Sequence, residues 1–97
     1  MRMVTKWIQF KVRLENAAGF REALARLEVA SKLETGCVHY AAFCVSESEG
    51  EFAVLESWAS AETFEAHRVA PHTSEFKEHC GEMIVEKSGQ ELEAVAG

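Results

Sequence analysis

Several things are scarce in this 97-residue chain, and each scarcity closes off a class of protein. Proline occurs once, at Pro71, and 47% of the residues are hydrophobic against 27% charged, which excludes collagen-like and disordered chains. The cysteines, Cys37, Cys44 and Cys80, are odd in number and form no C-x-x-C pair, so neither a disulfide framework nor a zinc knuckle is expected. All three read as reduced, buried thiols acting as small hydrophobes. No apolar run approaches the roughly 20 residues of a bilayer span. The opening MRMVTKWIQF alternates apolar with polar residues where a signal peptide would carry a continuous apolar stretch. Basic residues are also few and scattered. Sixteen acidic against ten basic side chains give a net charge of −6, without the basic stripe that phosphate neutralisation requires. The expectation is one cytoplasmic domain over residues 1–97, with no nucleic-acid or membrane partner.

What is present has clear periods. Residues 3 to 13 place Ile8, Phe10 and Val12 on one parity and Thr5, Trp7, Gln9 and Lys11 on the other, which predicts a strand. Trp7 on the polar parity points to a subunit contact. From residue 16 to 34 the spacing becomes helical, with Phe20, Ala23, Leu24, Leu27, Ala30 and Ser31 on one stripe. Asn16 is the expected N-cap and Gly36 the expected terminator. GCVHYAAFCV (36–45) and FAVLESW (52–58) read as two strands of a hairpin closed near Gly50. Ser60 suits a cap for a short helix from 61 to about 69, and Pro71 suits the first position of another. Phe76, Cys80, Met83 and Ile84 extend that helix to about residue 86. A break at Ser88-Gly89 then leaves ELEAVA (91–96) as the last strand.

The order β-α-β-β-α-β is the split βαβ arrangement, an α+β fold with an antiparallel sheet and its helices on one face. Strands 1 and 3 carry apolar side chains on both parities, so the uncovered sheet face implies a homodimer packed sheet against sheet.

Histidine supplies the chemistry. His72, Glu75 and His79 at i, i+3 and i+7 could offer two nitrogens and a carboxylate to an ion, but no fourth ligand accompanies them and no metal is expected. His67 alone would read as a core histidine bonded to a backbone carbonyl. Its company changes that reading: Tyr40, Glu56 and Trp58 come from neighbouring strands and could converge beneath its helix, forming a pocket for a flat aromatic ligand.

GCVHY (36–40), FAVLESW (52–58), S-x-E-T-F-x-A-H (60–67) and APH-x(3)-F (70–76), in this order and with these gaps, resemble the antibiotic biosynthesis monooxygenase (ABM) family over residues 4 to 95. The resemblance implies a ferredoxin-like protomer, a dimeric α/β barrel, and oxygenation of a quinol or polyketide phenol by dioxygen without metal, flavin or haem. It makes His67, Tyr40 and Trp58 the expected catalytic residues, with Glu56, Phe64, His72 and Phe76 contacting substrate. The haem-degrading relatives' Asn, Trp and ligand-His positions fall on the Lys6-Trp7 region, His67 and Cys80, so haem degradation is not expected. The alternatives are a non-catalytic dimeric barrel that binds a small apolar ligand or serves a stress response, and an isomerase of a phosphorylated signalling molecule. The latter branch shares the HxxxPH arrangement.

Overall fold

The computed structural model describes residues 2–96. In chain order it contains β1 (Val4–Val12), α1 (Ala17–Lys32), β2 (Cys37–Cys44), β3 (Glu51–Trp58), α2 (Ala61–Arg68), α3 (Pro71–Cys80) and β4 (Ile84–Leu92). Single 3₁₀ turns precede α1 and β4. The sheet order is β2-β3-β1-β4 with every neighbouring pair antiparallel.

Strand register separates two faces. Phe10 lies opposite Phe52, Ile8 opposite Val54 and Tyr40 opposite Glu56, and these positions share the face that the helices cover. From α1, Phe20 packs its ring 5.0 Å from Phe52 and 5.3 Å from Phe10, while Phe76 of α3 closes on Phe20 at 5.6 Å. Tilted and edge-on pairs of this kind add about 1 kcal/mol each beyond the area they bury. Leu24, Leu27 and Ala23 complete the buried stripe of α1, as its helical period requires.

The opposite face is also partly apolar. Trp7 stands between Leu55 and Gln90, Leu55 lies opposite Ala41, and Ala53 opposite Phe43. Within the single chain Phe43 and Leu92 are exposed on this side. No helix among the described residues is long and apolar enough to cross a membrane.

Several boundaries differ from those the sequence implied. α3 stops at Cys80, and Met83 and Ile84 reach the core from the 3₁₀ turn and the start of β4. Their helix-like spacing arose because both forms bring them to the same core. Ser88 and Gly89 lie inside β4, paired with Gln9 and Ile8, and residues 93–96 form no strand. A Cβ at Gly89 would sit 3.1 Å from Ile8 Cδ1, so this glycine admits a neighbouring side chain and does not break the strand. Asn16 belongs to the 3₁₀ turn with helical backbone angles, and its side chain caps nothing. Cys80 is buried as expected, but Cys44, at the end of an edge strand, is exposed.

Two expected signals hold. Ser60 Oγ accepts from the Thr63 N–H at 3.2 Å while Thr63 Oγ1 accepts from the Ser60 N–H at 3.1 Å, a reciprocal cap that starts α2. Pro71 occupies the first turn of α3, after the extended Ala70.

Gly36 acts four residues beyond the end of α1, with φ +85°, turning the chain into β2. A Cβ there would fall 2.4 Å from Thr63 Cγ2, against the cap of α2. Gly36→Ala should therefore destabilise the fold by about 2 kcal/mol or more in urea unfolding. Gly81→Ala, where the backbone is helical and a Cβ meets nothing within 4 Å, should be neutral or gain up to about 1 kcal/mol. Equal effects at the two sites would refute this account of Gly36.

Candidate functional site

The site begins at the end of the β2–β3 pair. Antiparallel register sets Tyr40 beside Glu56, and two residues on, Trp58 closes β3. The Ser60 cap then starts α2 at once, so His67, in its last turn, returns over the end of the strand it has just left. The imidazole stacks on Trp58, with centroids 4.5 Å apart and planes 27° from parallel, and meets the Tyr40 ring at 5.7 Å. Trp58 Nε1 donates to Glu56 Oε1 at 2.8 Å, and His67 Nε2 lies 3.7 Å from that same oxygen.

The other side of the ring faces Glu34. His67 Nδ1 lies 2.6 Å from Glu34 Oε2, and His72 Nε2 lies 2.7 Å from the same atom. With Glu34 as a carboxylate both imidazoles donate to it, which places a proton on His67 Nδ1, while Nε2 is the ring nitrogen on the Glu56 side. The bland reading of His67, a bond to a backbone carbonyl, is replaced by this carboxylate bond.

A cavity of about 330 Å³ opens between the sheet and helices α2 and α3. Ile8, Phe10, Val54, Phe64 and Phe76 supply apolar walls, Tyr40, Glu56, His67 and Thr73 supply polar ones, and the exposed Arg68, Lys77 and Lys87 also line it. Lys87 Nζ lies 5.8 Å above the Phe10 ring and Lys6 Nζ 5.2 Å above Phe64. This volume is at the small end of ligand cavities, enough for a compact aromatic molecule.

Five of the seven residues singled out in the sequence line this cavity: His67, Tyr40, Glu56, Phe64 and Phe76. Trp58 does not. It is wholly buried and acts from behind, through its stack on His67 and its bond to Glu56. His72 turns away to Glu34 and to a cleft between α1 and α3, where Glu75 and His79 also lie. Among the described residues, the donors that meet within 4.8 Å are those of Glu34, His67 and His72, not the set His72, Glu75 and His79.

Glu34 was not legible. It lies in the turn after α1, separated from its two histidines by 33 and 38 residues, and it is one glutamate among sixteen acidic residues. Its position just before Gly36 is the only local hint.

Burial, reinforced by the Glu56 carboxylate, holds the Tyr40 phenol well above its ordinary range. Tyr40 is thus a hydrogen-bond donor here and not a base. Burial, then the Glu34 and Glu56 carboxylates, also push the Cys37 thiol up, and burial raises that of Cys80, so neither behaves as an activated nucleophile.

Fold and site together define an α+β protein of the ferredoxin-like class, with a ligand-sized cavity between its helices and its sheet. The family model for antibiotic biosynthesis monooxygenase matches residues 3–79, and the chain belongs to that family. Among solved structures it resembles a conserved Bacteroides thetaiotaomicron protein described as a possible oxidoreductase, with 26% identity, TM-score 0.86, and 95% and 97% of the two chains covered. Rv0793 from Mycobacterium tuberculosis shares the fold at 21% identity and TM-score 0.88, covering 97% of this chain and 96% of its own. A structure named as an antibiotic biosynthesis monooxygenase does so at 16% and 0.89, covering 95% and 98%. No curated protein matches.

Tyr40 is the only tyrosine, which makes its ionisation directly visible. The folded protein should show no tyrosinate absorbance through about pH 11, although a free tyrosine titrates near 10. Because the folded value is raised, the associated stability is present in full below the unfolded value and is lost as pH climbs from there toward the folded one. Tyrosinate should therefore appear together with unfolding. A titration near pH 10 with the near-UV circular dichroism intact would contradict the burial account.

Proposed function

We propose that the chain is a cofactor-independent monooxygenase that oxidises a small aromatic quinol or polyketide phenol with dioxygen. The observation that carries this reading is His67, a cavity-lining imidazole beside Tyr40 whose Nδ1 is bonded to Glu34 and whose Nε2 lies 3.7 Å from Glu56 Oε1.

The proposed steps follow from that geometry. A substrate hydroxyl gives its proton to His67 Nε2, and the Glu34 carboxylate stabilises the imidazolium that forms. Tyr40, held protonated, donates to the resulting phenolate oxygen, and Glu56 accepts from a second hydroxyl. The electron-rich anion passes an electron to dioxygen, and recombination joins carbon to oxygen as a peroxide. The His67 imidazolium returns its proton to the peroxide, which loses water with the hydrogen of the attacked carbon, so one oxygen atom stays in the product and the other leaves as water, the substrate supplying all the electrons. Phe64 and Phe76 hold the ring and keep water out. The cationic side chains along the cavity favour an acidic phenol over a neutral hydrocarbon.

Oxygen uptake by metal-stripped protein, with a panel of quinols and anthrone-like phenols, tests this directly. Uptake above the spontaneous rate should fall about 100-fold or more in His67→Ala, the range associated with a lost general base. If no substrate is turned over, or the variant matches the wild type, a non-catalytic ligand-binding protein replaces this reading.

The same proposal includes a homodimer through the free sheet face, where Trp7, Leu55, Ala41 and Phe43 form one apolar surface across three strands. A second copy of the same face matches it in size and chemistry and satisfies two-fold symmetry. Trp7→Arg should then convert the dimer to monomer in sedimentation at micromolar protein. An unchanged sedimentation coefficient would place any interface elsewhere.

A further inference from the structure

The geometry points to a divalent-cation site formed by Glu34 Oε2, His67 Nδ1 and His72 Nε2, on the side of His67 that faces away from the cavity. Three observations support it. First, the three donor atoms lie within 4.8 Å of one another, although they come from the turn after α1, the end of α2 and the first turn of α3. Second, each side chain is held independently: His67 by its stack on Trp58, His72 by the start of α3 at Pro71, and Glu34 by a turn in which its own N–H bonds Ser31 and its carbonyl accepts from Cys37. Third, two imidazole nitrogens and one carboxylate oxygen are the donor set of borderline ions such as Zn(II), which take three protein ligands and keep an open position for water.

The present distances are those of hydrogen bonds, 2.6 and 2.7 Å. Donors placed about 2.0–2.1 Å from a tetrahedral ion stand roughly 3.3 Å apart, so loading the site requires each hydrogen-bonded pair to open by roughly 0.6–0.7 Å. Two of the three ligands can move that far. The His72 side chain is 28% exposed and lines the α1–α3 cleft, and Glu34 is carried by a turn and is 15% exposed.

Loading would change His67. A nitrogen that binds metal carries no proton, so in the neutral ring the proton must sit on Nε2, and the nitrogen that serves as acceptor in the proposed mechanism becomes a donor. An ion at this site and general-base use of His67 therefore exclude each other. The binding rests on the donor geometry alone, and only this inhibitory consequence rests on the monooxygenase reading.

The test is calorimetric titration of tag-free, metal-stripped full-length protein with Zn(II), repeated with Co(II) to read coordination from its visible spectrum. The expected result is one ion per chain, with a tetrahedral or five-coordinate Co(II) spectrum. His72→Ala and Glu34→Gln should each weaken binding at least about tenfold, the lower bound for disturbing even a ligand's supporting shell. His39→Ala, His79→Ala and Cys44→Ser should leave it unchanged. Should Glu34→Gln not fold, His72→Ala, at a partly exposed side chain, decides alone. The site is overturned if no ion binds, if His72→Ala binds as the wild type does, or if one of the three control substitutions abolishes binding. Where a turned-over substrate is known, Zn(II) should also stop oxygen uptake in wild type and spare His72→Ala. Failure of uptake altogether would bear on the oxygenase reading and leave the binding result intact.

Discussion

One carboxylate oxygen, Glu34 Oε2, ties the functional end of this molecule together. It accepts from His67 at the end of α2 and from His72 at the start of α3, and so joins the two short helices to the turn that follows α1. Each of these helices is short, and isolated helices of such length are marginal in water, so their positions must come from tertiary contacts. The carboxylate also decides which ring nitrogen of His67 carries the proton, and hence what the cavity meets. Orientation of the His67 ring and attachment of the helices are the same interaction. Losing a partly buried partner of this kind leaves the others unsatisfied, which costs more than the bond itself contributes.

Beneath that clasp lies a column of a different character. Trp58 is completely buried, gives its one polar hydrogen to Glu56, and presents its flat face to His67. The indole thus supports two of the groups that reach the cavity without reaching it itself. The aromatic cluster of Phe10, Phe20, Phe52 and Phe76 holds the α1–α3 pair onto the far end of the sheet. Between the clasp and this cluster the helices stand away from the strands, and the cavity is the space that remains. The two sheet faces divide the labour: one carries the core and the site, and the other carries Trp7 and Leu55 toward the proposed second copy.

Most of the architecture could be read along the chain because its signals are local. The parity of Ile8, Phe10 and Val12, the stripe from Phe20 to Leu27, the Ser60 cap and Pro71 each express a period or a backbone preference that acts within a few residues. The end of the chain misled for an equally physical reason. Met83 and Ile84 follow Phe76 and Cys80 at helical spacing, yet a tight turn and a strand bring them to the same core. Gly89 looked like a break, because its role is to make room for Ile8, a neighbour 81 positions away in the chain.

The sequence by itself determined the fold class, the covered and uncovered sheet faces, and the gathering of His67, Tyr40 and Glu56, since strand register follows from alternation and hairpin closure. Only the tertiary structure decided that Trp58 supports the cavity from behind, that His72 turns from it, and that Glu34 holds both histidines. Those relations depend on how a turn, two short helices and a sheet settle against one another. Contacts across 33 and 38 residues leave no period in the chain to announce them.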